Sequence, residues 1–191
     1  MFFVIISLML YTRKGDLGTS KVLNKEERIS KDSLLFEVLG SVDELNAWLG
    51  VCKFKSKDML SEIMDLKIFN IVDRLQQDLF IIQAELAGAE MKISEDKIIW
   101  MEKITDEIEK VLPKIESFFV PGGSEESALL DVGRTIARRV ERVLIRGINK
   151  GEALVCDNTR RYLNRLSSVL YALVRLANIE EGVKEERPNY N

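Results

Sequence analysis

The stretch LLDVGRTIARRVERVLIRG, residues 129–147, has the periodicity of an amphipathic α-helix. Its apolar residues recur at spacings of three and four, which places them in one stripe along a helix. The predicted stripe comprises Leu129, Val132, Ile136, Val140 and Val143. Three arginines spaced four residues apart, Arg134, Arg138 and Arg142, lie on the opposite face. The stretch therefore predicts a helix that packs through one face and concentrates positive charge on the other.

This column of arginines has two interpretations. It is either a solvated face whose guanidinium groups pair with neighbouring subunits, which is the commoner arrangement, or a binding site for a polyanion. Arginines four residues apart repel each other by roughly a few tenths of a kcal/mol per pair. Only Asp131 and Glu141 place a carboxylate close enough in the stretch to reduce this repulsion. Because a guanidinium group can donate two hydrogen bonds to phosphate oxygens, the column suits a phosphate chain, but the helix alone leaves both interpretations open.

The rest of the chain predicts more helices of the same kind. From an N-cap at Asp32 or Ser33, apolar residues recur at helical spacing as far as Cys52. Ser124 is the predicted N-cap of the helix that carries the arginines. Five helices are predicted in all, over 32–54, 58–87, 94–112, 124–151 and 157–181.

Short connections between these helices predict an all-α fold, an antiparallel four- or five-helix bundle over 32–181. Residues 11–31 hold glycines and small polar residues without a sustained period, and they predict an ordered N-terminal arm. Residues 182–191 predict a frayed C-terminal tail. The apolar extension MFFVIISLML, 1–10, is too short to span a bilayer and lacks signal-peptide features. It is an extra strand, a partner-binding tail or, as we favour, a misassigned start with Met9 as the first residue.

The composition narrows the function. The chain has 191 residues and a net charge of −3, which fits one domain and argues against general binding to nucleic acid or to a membrane. It has no histidine, which excludes Ser-His-Asp and Cys-His catalysis and the Glu-x-x-His pairs of di-iron bundles. Cys52 and Cys156 are its only cysteines. We therefore expect no protein-made metal site and a reducing, cytoplasmic location.

Two N-terminal motifs carry polar groups suited to phosphates. The loop YTRKGDLGTSK, 11–21, combines glycines, hydroxyls and cations as phosphate-cradling loops do, although it does not satisfy the Walker A pattern. The motif GSVDELNAWLG, 40–50, places Asp43 away from the apolar stripe of the first helix. Asp43 is therefore free to pair with an arginine, although a solvated acid is the commoner case.

Two later motifs are equally open. FFVPGGS, 118–124, places two aromatic residues before the turn that leads into the arginine helix, and such aromatics are more often core residues than the wall of a cofactor site. The predicted last helix carries Asn164 and Arg165 among apolar residues. The sequence leaves three roles open for Asn164: a buried amide with its hydrogen bonds satisfied, a helix cap or a ligand contact.

The order of the motifs is more specific than any one of them. YTRKGDLGTS, RISKD, GSVDELNAWLG, FFVPGGS, RTIARRVER and RYLNRLS together resemble the PduO-type ATP:cob(I)alamin adenosyltransferases, over residues 11–178. The resemblance implies a five-helix homotrimer with active sites between neighbouring subunits. It also implies a reaction in which cob(I)alamin attacks C5′ of ATP, adenosylcobalamin forms and triphosphate leaves. Such chemistry requires no protein nucleophile, in keeping with the absence of histidine.

The resemblance also implies roles for individual residues. The catalytic set would be Asp43, Phe118, Arg138 and Arg142. Arg142 would contact the triphosphate, Arg138 would pair with Asp43 across the subunit boundary, and Phe118 would close the lower face of the corrin and keep cobalt four-coordinate. ATP would be bound by Thr12, Arg13, Gly15, Asp16, Gly18, Ser20, Lys31, Arg134, Glu141, Arg142 and Asn164. ATP and cobalamin would be substrates, with Mg²⁺ bound through the phosphates.

The sequence departs from the family pattern at three positions. Asp131 stands where the family usually has histidine, Gly133 where it has alanine, and Ser168 where it has aspartate. We expect Asp131 to pair with a neighbouring arginine.

Two other functions are alternatives to adenosyl transfer. One is a non-catalytic ATP-binding regulatory or interaction protein, and the other is a structural bundle whose arginines pair at a trimer interface. Partners implied by the family are a reductase or an adenosylcobalamin-dependent acceptor enzyme.

Overall fold

A computed structural model describes residues 11–23 and 25–191, so the predictions for residues 1–10 lie outside the described residues. The fold is an all-α bundle, as predicted. Its helices are α1 (Leu34–Lys55), α2 (Ile68–Leu86), α3 (Glu95–Val111), α4 (Glu125–Asn149) and α5 (Asp157–Glu180). A single 3₁₀ turn, Ser56–Asp58, follows α1.

Two of the predicted helix starts are capped as the sequence indicates. The Ser33 hydroxyl accepts a hydrogen bond from the Phe36 N–H, and the Ser124 hydroxyl accepts one from the Ser127 N–H at 3.1 Å. Each hydroxyl satisfies one of the N–H groups that the first turn leaves without a helical partner.

Contacts between neighbouring helices show the antiparallel arrangement. Lys53, near the end of α1, pairs at 3.0 Å with Asp73, near the start of α2. The indole N–H of Trp48, in the second half of α1, donates to the carbonyl of Leu129, near the start of α4. The side-chain oxygen of Asn178, near the end of α5, accepts from the N–H of Ser124. Helix α4 lies between α1 and α5, so it has two packing surfaces.

Those two surfaces correct the predicted stripe of α4. Val132 is 43 % exposed and Leu129 only half-buried, whereas Leu130, Ala137 and Leu144 are buried. The buried face is wider than the predicted stripe and rotated toward α5, because a helix packed on two neighbours buries more than one row of side chains. Val140 and the other predicted core residues of α4, Ile136 and Val143, are buried.

The predicted start of the second helix is wrong. Residues 59–67 instead hold a short antiparallel hairpin that pairs Glu62–Ile63 with Leu66–Lys67. Met64 and Asp65 at its tip have φ values of 53° and 60°, which an α-helix cannot accommodate. The carboxylate of Glu180 on α5 accepts the N–H groups of Leu60 and Ser61, so a contact distant in sequence holds the hairpin.

The C-terminal tail is not frayed as predicted. The carboxylate of Glu185 forms an ion pair at 2.9 Å with Arg175, a guanidinium group on α5 whose side chain is 3 % exposed. The carbonyl of Glu186 accepts the N–H of Val120, and Arg187 pairs with Glu116. The tail therefore lies against the connection between α3 and α4. Within the described ranges, no helix has the length and apolarity needed to cross a membrane.

The two cysteines differ in accessibility. Cys52 is buried in α1, and burial raises the pKa of its thiol to about 12. Cys156 is half-buried at the N-cap of α5, where the carboxylate of Glu85 accepts its N–H at 2.7 Å. Cys52 is thus a core residue, whereas Cys156 lies at the edge of the core.

We expect Cys52 to resist alkylation in the folded protein. Alkylation proceeds through the thiolate, which a pKa of about 12 keeps scarce near pH 8, and the sulfur is covered. Mass spectrometry after a short pulse of iodoacetamide should find at most one labelled thiol in buffer and both in urea. Equal labelling of Cys52 and Cys156 in the folded protein would contradict the burial of Cys52.

Candidate functional site

The N-terminal arm is organised around Arg28, a residue that the sequence analysis did not single out. Strand β1 (Thr19–Ser20) pairs with β2 (Ile29–Ser30). The Arg28 guanidinium lies beside them and donates to the carbonyls of Lys14 and Thr19 and to the Thr19 hydroxyl. A guanidinium group presents donors in several directions, so one side chain closes the loop on itself. An arginine in a polar loop has no local pattern that would have marked it.

Lys31 lies at the other end of the arm, against the predicted phosphate loop. Its ammonium group donates to the carbonyl of Gly15 at 3.1 Å, and the backbone N–H of Lys31 donates to the carbonyl of Gly18 at 2.8 Å. A Cβ at position 15 would lie 2.9 Å from the Lys31 nitrogen, and Gly18 has φ of +74°. Gly15 therefore permits the close approach of the loop to Lys31, and Gly18 permits the left-handed backbone conformation of the turn. An exposed ammonium group with a single carbonyl partner remains available to an anion.

The other predicted arm residues line the outer side of the loop. Thr12 accepts the N–H of Lys14, and Arg13 lies over the ring of Tyr11, 5.4 Å from its centroid. The N–H of Asp16 donates to the carbonyl of Arg13. These side chains are exposed, so the loop presents hydroxyl, carboxylate and guanidinium groups to solvent.

The arm meets Asp43 in a cavity between α1 and α2. This cavity, of about 450 Å³, is lined by Ser20, Lys31, Phe36, Leu39, Gly40, Asp43 and Gln83. The carboxylate of Asp43 accepts a hydrogen bond from the side-chain amide of Gln83 at 3.2 Å. Lys31 and Asp43, predicted in separate motifs, therefore share one cavity.

The structure divides the column of arginines into paired and free residues. Arg134 forms an ion pair with Asp131, as expected, and lies 5.8 Å from the ring centroid of Tyr171. Arg139 pairs with Glu44 on α1. The guanidinium groups of Arg138 and Arg142 are exposed and have no hydrogen bond or ion pair to any residue of 11–23 or 25–191. Two of the four arginines in residues 134–142 are therefore available to groups outside one copy of the chain.

Glu141 and Asn164 are joined across α4 and α5. The amide of Asn164 donates to the carboxylate of Glu141 at 2.8 Å, and its oxygen accepts from Arg165 at 2.7 Å. Arg165 in turn pairs with Glu102 on α3. This chain of polar groups fixes the orientation of the Asn164 amide, and its Glu141 member lies about one helical turn after Arg138 on α4.

Phe118 lines a second, larger cavity together with two of the arginines. The cavity measures about 670 Å³ and is lined by Ile115, Glu116, Ser117, Phe118, Phe119, Arg134, Arg138 and Tyr171. Phe118 is 81 % exposed, so it is not a core residue. Burial raises the pKa of Tyr171, which keeps its phenol protonated near neutral pH. The cavity thus combines aromatic walls with a cationic rim.

One copy of the chain does not bring all the predicted site residues together. The arm, Lys31 and Asp43 surround the cavity on α1 and α2, whereas Arg138 faces the cavity on α4 and α5. Asp43 contacts Gln83 and not Arg138. Arg142 lies beside Trp48 and Val132 in a third groove, between α1 and α4.

Gly133, one of the departures from the family pattern, has a structural explanation. It is buried where α4 approaches α1, and a Cβ there would lie 3.3 Å from Trp48. Trp48 is held by its indole hydrogen bond to Leu129 at 2.8 Å. Ser168, another departure, is exposed on α5. Neither residue disrupts the helix in which it lies.

Comparison with known proteins decides the family. The sequence model described as cobalamin adenosyltransferase matches residues 10–177. The chain belongs to the cobalamin adenosyltransferase family. A corrinoid adenosyltransferase of Citrobacter freundii is 34 % identical over 175 residues, which cover 87 % of this chain and 93 % of that relative. One from Mycobacterium leprae (strain TN) is 34 % identical over 185 residues, covering 91 % and 93 %.

Solved structures of the family have the same fold. A PduO-type ATP:corrinoid adenosyltransferase from Lactobacillus reuteri, a Phe-to-His variant complexed with cobalamin and ATP, superposes with a TM-score of 0.84 at 28 % identity. The superposition covers 95 % of this chain and 97 % of that one. An Arg-to-Lys variant complexed with ATP gives a TM-score of 0.81, covering 94 % and 100 %. The resemblance and the bundle fold predicted from the sequence are both confirmed.

Proposed function

We propose that the chain transfers the 5′-deoxyadenosyl group of ATP to the cobalt of cob(I)alamin. The cobalt electron pair forms a bond to C5′, the bond from C5′ to the phosphate oxygen breaks, and triphosphate leaves with that electron pair. The observation that carries this proposal is the division of the arginine column. In this member of the cobalamin adenosyltransferase family, Arg138 is a free cation beside the aromatic cavity, and Arg142 is a free cation in the groove between α1 and α4.

We assign Arg142 to the departing triphosphate. Negative charge grows on the phosphate chain as the C5′ bond breaks, and a fixed guanidinium group stabilises that charge. Lys31 and the loop from Thr12 to Ser20 would hold the remaining phosphates, since they present an ammonium group, hydroxyls and N–H groups. Glu141 and Asn164 would orient the nucleoside. Arg134 is a weaker candidate for ATP, because Asp131 already neutralises it.

We further propose that the site is shared between copies of the chain in a homotrimer. Asp43 and the arm lie on one side of the bundle, and Arg138 and Arg142 lie near its other cavities. A carboxylate and a free guanidinium on separate surfaces of one chain are complementary when a second copy docks. In that arrangement Asp43 of one copy pairs with Arg138 of the next, and the arm covers the neighbour's Arg142.

Phe118 would form the lower wall of the corrinoid site. An exposed ring in a cavity of about 670 Å³ offers apolar surface at the face of the corrin and excludes water and an axial ligand from the cobalt. No cluster of His, Cys, Asp or Glu among the described residues could hold a metal ion. Mg²⁺ would therefore arrive on the phosphate oxygens of ATP, where it would neutralise part of their charge. A reductase would have to supply cob(I)alamin.

The direct test is anaerobic incubation of the chain with ATP, Mg²⁺ and chemically reduced cobalamin. The expected result is the light-sensitive spectrum of an alkylcobalamin, with one triphosphate released per adenosylcobalamin formed. ATP binding without either product would support the alternative, a non-catalytic ATP-binding protein. Release of phosphate or pyrophosphate in place of triphosphate would contradict attack at C5′.

A further inference from the structure

Phe118 lies on a segment that has no regular secondary structure. Residues 113–123, which we call the Phe118 segment, connect α3 to α4 without helix or strand. Phe118 itself is exposed, and the hydrogen bond that its carbonyl accepts comes from the adjacent Ser117. A segment without the regular backbone hydrogen bonds of a helix or strand needs contacts from other parts of the chain to hold one conformation. Those contacts come from the end of α5 and the tail.

Arg175 is the centre of these contacts. Its guanidinium donates to both carboxylate oxygens of Glu185, at 2.9 to 3.0 Å, and to the carbonyl of Pro113 at 3.0 Å. It also lies 5.3 Å from the ring centroid of Phe119. One buried cation therefore joins the tail to the start of the Phe118 segment and to the residue next to Phe118.

The tail holds the same segment at further points. The carbonyl of Glu186 accepts the N–H of Val120 at 2.8 Å, and Arg187 pairs with Glu116 at 2.9 Å. Asn178, on the last turn of α5, accepts the N–H of Ser124 immediately after the segment. Contacts therefore flank Phe118 on both sides in sequence, while its ring is left free to face the cavity.

We propose that Arg175, Glu185, Glu186 and Arg187, which we call the tail anchor, position Phe118 in the corrinoid cavity, with Arg175 as the positioning residue. Tyr171 lies one helical turn before Arg175 and lines the same cavity. Helix α5 thus lines the cavity directly through Tyr171 and holds the Phe118 segment, which also lines it, through Arg175. The inference rests on the role proposed above for Phe118. It adds that this role depends on a charge pair outside the cavity.

The variants Glu185→Ala and Glu185→Gln test the anchor, with Lys184→Ala as matched control. Lys184 is the adjacent tail residue, is exposed and has no ion pair among the described contacts. The alanine removes both carboxylate oxygens that accept from Arg175 and leaves the Pro113 carbonyl, whereas the amide keeps one side-chain oxygen and perturbs the fold less. Phe118→Ala serves as the reference for the role of Phe118 itself.

We expect Glu185→Ala to lower kcat for cob(I)alamin about tenfold to a hundredfold, because small displacements at a reacting site have effects of this size. The KM for ATP should not change, and the spectrum of bound cob(II)alamin should lose its four-coordinate signature. Hydrogen exchange should accelerate in the peptide covering the Phe118 segment. Glu185→Gln should show smaller changes in the same direction, and Lys184→Ala none.

Two results would overturn the anchor. One is unchanged exchange and unchanged kcat in both Glu185 variants. The other is a uniform loss, in which the KM for ATP, kcat and helical circular dichroism all change together, as a merely structural role predicts. If Phe118→Ala left kcat unchanged, the proposed role of Phe118 would fail, and hydrogen exchange would still report on the anchor.

Discussion

Replacement of Arg142 by alanine is expected to lower kcat by about 10²–10³-fold, the usual cost of losing one donor to a developing negative charge. The fold should not change, because Arg142 is exposed and contacts no carboxylate in the described part of the chain. Its loss should therefore appear in turnover and not in the melting temperature. Steady-state kinetics under anaerobic conditions, together with circular dichroism, measure both quantities.

Arg146→Ala is the matched control for this variant. Arg146 lies one turn further along the same helix, and its only ion pair within the described part of the chain is to Glu37 at 3.8 Å, with both side chains more than half exposed. We expect kcat within about twofold of the parent, since an exposed pair of this kind contributes little to stability. Near-normal turnover in Arg142→Ala would show that another group stabilises the triphosphate. An equal loss in both variants would indicate that the overall positive charge of the helix, and not a specific contact of Arg142, stabilises the triphosphate.

The largest effect on stability is expected from Asp78→Ala. Asp78 is 1 % exposed on α2, pairs with Lys97 on α3 and accepts the hydroxyl hydrogen bond of Tyr162 on α5 at 3.2 Å. Burial also raises the pKa of Tyr162 well above its ordinary value, so its hydroxyl remains a donor. Removing the carboxylate leaves a cation and a buried hydroxyl without their partner. We expect the free energy of unfolding to fall by about 3–5 kcal/mol.

Asp73→Ala provides the comparison on the same helix. Asp73 pairs with Lys53 at 3.0 Å, but its side chain is 43 % exposed, and solvent screens the pair. Its removal should cost less than about 1 kcal/mol. Urea unfolding followed by circular dichroism measures both values. Similar losses in the two variants would mean that the Asp78 network does not join the three helices as described.

The sequence predicted most of the bundle because its helices carry local signals. The caps at Ser33 and Ser124 and the spacing of apolar residues in α1 gave helix starts and core residues that the structure bears out. Two errors have a common cause. Ile63 and Leu66 fit helical spacing, yet Glu180 holds their neighbours in a hairpin, and Glu185 is polar, yet Arg175 holds it against the bundle. The first contact joins residues 119 positions apart and the second joins residues 10 positions apart across the end of α5, and helical periodicity carries no information about either.

The candidate site was predictable only in part, for a similar reason. Motif order identified the family, and helical spacing placed Arg138 and Arg142 on one helix, α4. Spacing alone made the arginines equivalent, whereas the structure pairs Arg134 with Asp131 and leaves Arg138 and Arg142 free. Arg28 closes the arm through three hydrogen bonds. It follows no periodic pattern, so its role is visible only in the folded structure.

The central claim is that each site combines the arm of one copy with the arginine helix of another. It can be tested by co-expressing Lys31→Ala and Arg142→Ala chains with different affinity tags and purifying assemblies that contain both. In a cyclic trimer every such mixed assembly has one site with an intact arm and an intact helix, roughly a third of the total. We predict about one-third of the parent activity. Activity no higher than that of either variant alone would contradict the shared site.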